Sequence, residues 1–129
     1  MLRGVIIGGV PAGDHDYDCV PYGELDFEEV DWSEVGEHDP ARRAERKGTG
    51  ETNVATEWAT EACQDPRRWV RSAGSASGLT VKVTGWSAMA GFVVTVIVAP
   101  KDHPPAGRWW GATAWKAKTT ERRQYEEGR

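Results

Sequence analysis

The hydrophobic pattern of this 129-residue chain changes its period at Pro66. Before that proline, apolar residues recur at helical spacing, whereas after it they alternate or run unbroken, which indicates helices followed by strands. The strongest strand signal lies at residues 92–98, where β-branched residues dominate, as is typical of a central strand buried on both faces. This order predicts an α+β fold with helices on one face of a sheet.

Two short helices are predicted ahead of the sheet. Asp39 can cap a helix over residues 41–47, because its side chain can accept a hydrogen bond from a free amide of the first turn. Asn53 can cap a second helix over residues 53–64. Pro66 ends that helix, since the residue before a proline is pushed out of helical geometry.

A small antiparallel sheet and a C-terminal helix are predicted after the proline. Leu79 opens an alternating segment in which it faces the interior, and Thr119 can cap the final helix. Residues 25–35 fit a short strand or a helical turn equally well. Strands are expected at residues 79–84, 92–98 and 109–115, and residues 68–71 can add a short first strand, so the sheet is expected to have three or four strands.

Charge is divided unevenly along the chain. Residues 1–65 carry 16 Asp/Glu and 5 Lys/Arg, whereas residues 66–129 carry 4 Asp/Glu and 11 Lys/Arg. Such asymmetry indicates a nucleic-acid partner or a charged tail. Residues 1–24 show no sustained periodicity and are predicted to be a disordered or loosely attached acidic extension, with residues 25–129 forming one domain.

The composition argues against membrane and metal sites. No segment approaches the ~18 apolar residues of a membrane span. Cys19 and Cys63 are far apart and form no CxxC pair, which argues against a zinc site or a disulfide framework and fits a reducing cytosol. His15, His38 and His103 lack metal-ligand spacing. A cytoplasmic protein without a cofactor is therefore predicted.

The C-terminal stretch combines aromatic rings with cations. The strand at residues 109–115 carries three tryptophans and leads directly into a basic helix that contains Tyr125. Cations bind phosphates and flat rings stack on bases, so this pattern favours RNA binding. The candidate RNA-binding residues are Arg67, Arg68, Arg71, Lys82, Trp110 and Trp115.

Each candidate also has an ordinary structural role open to it. The cations can be solvated surface charges, and the tryptophans can pack in the core or at an edge. Arg122 can pair with Glu126, and Arg123 with Glu127, one helical turn away. Tyr125 can anchor its helix to the sheet.

Three sequence blocks follow one another from about residue 52 to the end of the chain. They are T-E-W-A-T-E-A at 56–62 with D-P at 65–66, V-T-G-W-S at 83–87 with T-V-I-V at 95–98, and A-W-K-A at 114–117 with E-R-R-Q-Y-E-E at 121–127. In this order the blocks resemble the BrnT-like toxins of bacterial type II toxin–antitoxin pairs, which are small ribonucleases with a RelE-like fold.

The resemblance implies a metal-independent ribonuclease that acts on messenger RNA and is neutralised by a cognate antitoxin. A homo-oligomer within that complex is left open. In such an enzyme Lys116, Arg122 and Arg123 would stabilise charge on the phosphate, and Tyr125 would assist with proton transfer. The implied architecture is short N-terminal helices on a small antiparallel sheet, followed by a C-terminal helix.

Two departures from the family pattern support an alternative. The segment 51–53 lacks the lysine–histidine pair that the family commonly has before its second helix, and Trp115 stands where an arginine is usual. These departures favour a catalytically degenerate toxin-fold protein that acts as a protein- or RNA-binding module. A protein-contact module unrelated to RNA is the third interpretation.

Overall fold

The computed structural model describes residues 16–17, 20–48, 50–75 and 78–128. Most of the predicted N-terminal extension, at residues 1–15 and 18–19, lies outside the described residues. The strands of the described chain are β1 Asp16–Tyr17, β2 Val20–Pro21, β3 Glu29–Asp31, β4 Trp69–Ser72, β5 Val81–Ser87, β6 Phe92–Pro100 and β7 Arg108–Lys116. Its α-helices are α1 Arg43–Lys47, α2 Thr56–Cys63 and α3 Thr119–Glu126, with 3₁₀ turns at Tyr22–Glu24, Gly36–His38 and Pro40–Arg42.

In the described part of the chain, the main sheet has five strands in the order β3-β7-β6-β5-β4. Strands β4 to β7 form the predicted antiparallel meander. Strand β3 instead runs parallel to β7, with Val30 opposite Trp109. The α+β class is thus confirmed. The prediction of a wholly antiparallel sheet of three or four strands is wrong, because residues 25–35 supply a short parallel edge strand.

One face of the sheet carries the hydrophobic core. Val83 and Val96 are fully buried and lie opposite each other on β5 and β6, and α2 packs over them. Gly85 permits a close approach of α2 to β5, because a Cβ at Gly85 would lie 2.0 Å from the backbone oxygen of Ala62. Strand β6, with its β-branched run, is the middle strand of the five, as its sequence predicts.

Trp109 fills the core near the parallel edge of the sheet. It is fully buried, and its ring stacks on Phe27 with 4.9 Å between centroids. Its indole N–H donates to the carbonyl of Asp26 at 2.8 Å, so the polar atom of the buried ring is satisfied. Tyr22, which lies within the predicted extension, is buried in the same core.

The helices α2 and α3 lie against opposite faces of the sheet, whereas the sequence pattern predicted one face. Successive residues of a strand point to opposite faces, so Val93 faces away from the core that α2 covers. Val93 clusters instead with Ala117 and Tyr125 of the C-terminal segment. No helix in the described ranges has the length and apolar character needed to span a bilayer.

Glu121 fastens α3 to the sheet. Its carboxylate accepts hydrogen bonds from the Thr95 hydroxyl at 3.0 Å and the Trp115 indole at 3.1 Å. It also accepts the backbone N–H of Lys118 at 2.9 Å. Lys118 occupies the cap position, and Thr119 is the first helical residue, so the predicted cap at Thr119 is wrong.

Two other local predictions are corrected by the register of the elements. The second helix begins at Thr56, and the side chain of Asn53 accepts the backbone N–H of Ala44 at 2.7 Å, so Asn53 contacts α1 and does not cap its own helix. Leu79 is 42% exposed. The reason is that β5 begins at Val81, and Leu79 lies beyond the end of the sheet.

Candidate functional site

A groove of about 550 Å³ lies where α3 meets the ends of β5, β6 and β7. Five parts of the chain supply its side chains: the loop after α2, the end of β5, the start of β6, the end of β7 and the last turns of α3. We call it the Tyr125 groove, and its main lining residues are Asp65, Arg67, Trp86, Lys116, Arg122 and Tyr125.

Asp65 and Tyr125 form a hydrogen-bonded pair in this groove, with the phenol donating to the carboxylate. The Asp65 carboxylate also accepts the backbone N–H of Arg67 at 2.9 Å and of Trp86 at 2.8 Å. The Trp86 amide is available because β4 begins at Trp69, opposite Thr84, so within the described residues no strand pairs with the end of β5 on that side. Burial raises the pKa of Asp65, but these hydrogen bonds outweigh burial and hold the pKa below its usual value. Asp65 is therefore a carboxylate at neutral pH, and it fixes the position of the phenol.

Two cations of the groove lie over aromatic rings. The Arg67 guanidinium is 5.7 Å from the centroid of the Tyr125 ring. The Lys116 ammonium is 5.1 Å from the centroid of the Phe92 ring. Both side chains belong to exposed residues. Their positive ends are therefore placed beside the groove and within reach of solvent and ligands.

Arg122 supplies the third cation. Its Nε lies 3.9 Å from the Glu126 carboxylate on the same helix, and both side chains are about half exposed or more. An exposed pair of this kind contributes little to stability, so a ligand can compete for the guanidinium at small cost. The groove contains three positive side chains and two carboxylates, those of Glu126 and Asp65, and the Asp65 carboxylate already accepts three hydrogen bonds. The excess of positive charge favours an anionic ligand.

Trp86 adds an exposed aromatic ring to the lining. Its side chain is 45% exposed, which is unusual for so large an apolar group. Trp86 on β5 lies opposite Val93 on the neighbouring strand β6, and both point to the sheet face that α3 partly covers. The groove therefore combines anion-binding groups with a ring that offers an open face.

Of the predicted site residues, the structure brings Arg67, Lys116, Arg122 and Tyr125 together. The remaining candidates lie outside the groove lining, and their contacts are described in turn. They are Arg68, Arg71, Lys82, Trp110, Trp115 and Arg123.

Arg68 and Arg71 make contacts that stabilise the fold. Arg68 donates to the carbonyls of Leu25 at 2.8 Å and Asp65 at 3.2 Å, which ties the N-terminal segment to the end of α2. Arg71 donates to the Thr84 hydroxyl at 2.8 Å and lies 3.6 Å from the centroid of a tryptophan ring on its own strand. Lys82 is half-buried opposite Arg71 on β5.

The tryptophans of β7 are also committed to local contacts. The Trp115 ring lies 5.4 Å from the guanidinium of Arg43 and 5.9 Å from the ammonium of Lys118, and its indole donates to Glu121. Trp110 is 37% exposed, and the ammonium of Lys101 lies 4.3 Å from its ring centroid. Neither ring reaches the groove lining. Arg123 is exposed on α3, outside the same lining.

Sequence reasoning missed Asp65 and Trp86 as site residues. Asp65 carried a signal only as the residue before a helix-ending proline, and nothing local indicates that its carboxylate meets a tyrosine sixty positions later. Trp86 appeared only inside a hairpin block. The alternation of β5 does supply a signal, because Trp86 has the opposite phase to the buried Val81 and Val83.

Within the described ranges, no three His, Cys, Asp or Glu side chains are placed to hold a metal ion. Cys63 is fully buried, and burial raises the pKa of its thiol to about 12. The thiol is therefore protonated and unreactive at neutral pH. His38 and His103 are exposed, and His15 and Cys19 lie outside the described residues.

A comparison with protein-family models and with curated proteins finds no match for this chain. The likeness to the BrnT-like toxins stays a prediction from the sequence blocks.

Proposed function

We propose that the Tyr125 groove binds RNA and cleaves it without a metal ion, and that the chain is the toxin of a cytoplasmic toxin–antitoxin pair, neutralised by a cognate antitoxin. One observation supports this most strongly. Arg67, Lys116 and Arg122 come from three separate elements and line one groove together with Tyr125 and the exposed ring of Trp86. Cations for phosphates beside an open ring for a base are the groups that RNA recognition uses.

The cleavage step follows from the groups in the groove. The 2′-oxygen of the RNA loses its proton to water and attacks phosphorus, and the bond from phosphorus to the 5′-oxygen breaks. Tyr125 gives its proton to that leaving oxygen and regains one from water. Lys116 and Arg122 stabilise the charge that builds on the phosphate, for which one well-placed donor is worth about 3 kcal/mol. Asp65 holds the Tyr125 hydroxyl at the groove until the substrate is bound.

Binding without catalysis is the second candidate function, and a specific feature favours it. Tyr125 is buried and its hydroxyl already donates to Asp65, while Arg122 lies beside Glu126. These contacts are the ones that a catalytically degenerate protein would keep for its fold. In that case the groove would serve as an RNA- or protein-binding surface.

Cleavage of labelled single-stranded RNA in the presence of EDTA tests the ribonuclease proposal. We expect fragments with cyclic phosphate ends. The cleavage rate of Tyr125→Phe, which keeps the packed ring but loses the phenolic proton, should be lower than that of the wild type by about 100-fold or more. Arg123→Ala is the matched control, because Arg123 is exposed on the same helix outside the groove, and it should cleave like the wild type. RNA that is bound but stays intact would support the second candidate. RNA that is neither bound nor cleaved would refute the ribonuclease and any RNA-binding role of the groove.

Expression in a bacterial host tests the toxin role. We expect growth arrest and fragmented cellular RNA with the wild type, and normal growth with a folded Lys116→Ala/Arg122→Ala variant. Normal growth with a wild-type protein that cleaves RNA in the test tube would refute the toxin role and leave the ribonuclease in place.

A further inference from the structure

The ring of Trp86 is exposed, but the strand beneath it is firmly held. The backbone N–H of Trp86 donates to the Asp65 carboxylate at 2.8 Å. The next residue, Ser87, donates its hydroxyl to Glu61 of α2 at 2.7 Å, and the same carboxylate accepts the amide of Met89 in the following turn at 3.0 Å. The ring is therefore carried by a rigid hairpin end, and binding a ligand against it requires little ordering of the backbone.

The fold does not use Trp86 as it uses other tryptophans of the described chain. Trp109 is fully buried, and Trp115 donates its indole N–H to Glu121. Trp110 is exposed to a similar extent as Trp86, but the ammonium of Lys101 lies 4.3 Å from its ring centroid and it lines no part of the groove. Trp86 is the described tryptophan whose exposed ring lines the groove that holds the three cations.

We infer that Trp86 stacks on a nucleobase of RNA bound in the Tyr125 groove, and that the ligand is therefore single-stranded at this position. The inference rests on the proposed RNA binding and names the form of RNA that the groove takes. The groove volume of about 550 Å³ lies within the range of pockets that enclose a small molecule such as one nucleotide. The phosphate contacts Lys116 and Arg122, and the base lies on the ring.

The requirement for a single strand follows from the geometry of RNA helices. In a duplex the faces of the bases are covered by their stacked neighbours, so none of them is open to an aromatic side chain. A base of a single strand turns outward without breaking a pair, and every base has a face that can stack on an aromatic ring. The groove therefore prefers single-stranded RNA but discriminates weakly among bases.

Fluorescence anisotropy of labelled 2′-O-methyl RNA measures this binding, because that RNA lacks the attacking hydroxyl and stays intact. A single-stranded oligonucleotide and a duplex of the same sequence are titrated with the wild type, Trp86→Ala and Trp86→Phe. We expect Trp86→Ala to weaken single-strand binding about 10- to 100-fold and to leave duplex binding unchanged, and Trp86→Phe to retain most of the affinity. Trp110→Ala is the matched control and should bind like the wild type.

A second titration changes the ligand instead of the protein. The wild type should bind an oligonucleotide without bases as weakly as Trp86→Ala binds the complete one. Equal single-strand binding by the wild type and Trp86→Ala, or equal wild-type affinity for single strand and duplex, would overturn the stacking role while RNA binding itself stands. Absence of binding to every RNA would overturn both the stacking role and the proposed function.

Discussion

Gly85→Ala tests the packing of α2 on the sheet, which also positions the loop that carries Asp65. A Cβ at this position would lie 2.0 Å from the backbone oxygen of Ala62 and 2.9 Å from its carbonyl carbon. Contacts below 3.0 Å essentially never occur for a real Cβ, and backbone atoms cannot rotate aside. The helix must therefore retreat from β5 by about 1 Å.

The retreat has a cost that can be worked from the same contacts. Ala59 and Ala62 are fully buried in this layer, so every contact they make across it lengthens. A gap of 0.5–1 Å forfeits about a quarter to a half of the dispersion attraction, and overpacking alone costs about 1–3 kcal/mol. We expect the free energy of unfolding to fall by about 3 kcal/mol or more, and the Tm to fall by on the order of 10 °C.

Urea denaturation followed by tryptophan fluorescence and by far-UV circular dichroism measures this loss. Gly23→Ala is the matched control, because a Cβ there meets nothing within 4 Å, and it should stay within about 0.5 kcal/mol of the wild type. A Gly85→Ala protein as stable as the control would refute the close contact of α2 with β5.

Three further changes test individual contacts by the same denaturation assay. Asp65→Asn removes a charged acceptor of three hydrogen bonds and should cost about 1–3 kcal/mol at neutral pH. Because folding lowers the pKa of Asp65, its contribution to the free energy of unfolding is complete above the unfolded-state pKa near 4 and is lost as the pH falls towards the folded-state pKa. A difference in stability between the wild type and Asp65→Asn that persists undiminished in acid would contradict this role of Asp65. Glu121→Gln weakens the acceptor for Thr95 and Trp115 and should cost about 1–2 kcal/mol; an unchanged midpoint would show that α3 is held elsewhere. Trp109→Ala leaves a large cavity and should cost about 3–5 kcal/mol, and a loss under 1 kcal/mol would argue against its burial.

Sequence patterns predicted the elements whose signals are local. The β-branched run of β6 and the alternation in β5 have enough residues to show their period. The cap at Asp39 is confirmed, since its carboxylate accepts the N–H of Ala41 at 2.9 Å. The parallel pairing of β3 was not predictable, because three residues carry no period and the partner strand lies almost eighty positions away.

The site was predictable only in part, for a related reason. Cations and Tyr125 near the C-terminus are visible in composition, and the fold brings Lys116, Arg122 and Tyr125 to one groove. Which other residues complete the groove depends on how α2 and the β5–β6 hairpin end in space. Asp65 and Trp86 enter it through a hydrogen bond between the end of β5 and the loop after α2, and this contact has no counterpart in the local sequence.

The salt dependence of RNA binding tests most directly whether the Tyr125 groove recognises RNA. For single strands the logarithm of the affinity falls with the logarithm of salt concentration by about 0.7 for each neutralised phosphate, so contacts by Arg67, Lys116 and Arg122 give an expected slope of about −2. Lys116→Ala/Arg122→Ala should bind more weakly at low salt with a slope of about −0.7, and Arg123→Ala should keep the wild-type slope. A double variant with the wild-type affinity and slope would contradict RNA binding in this groove.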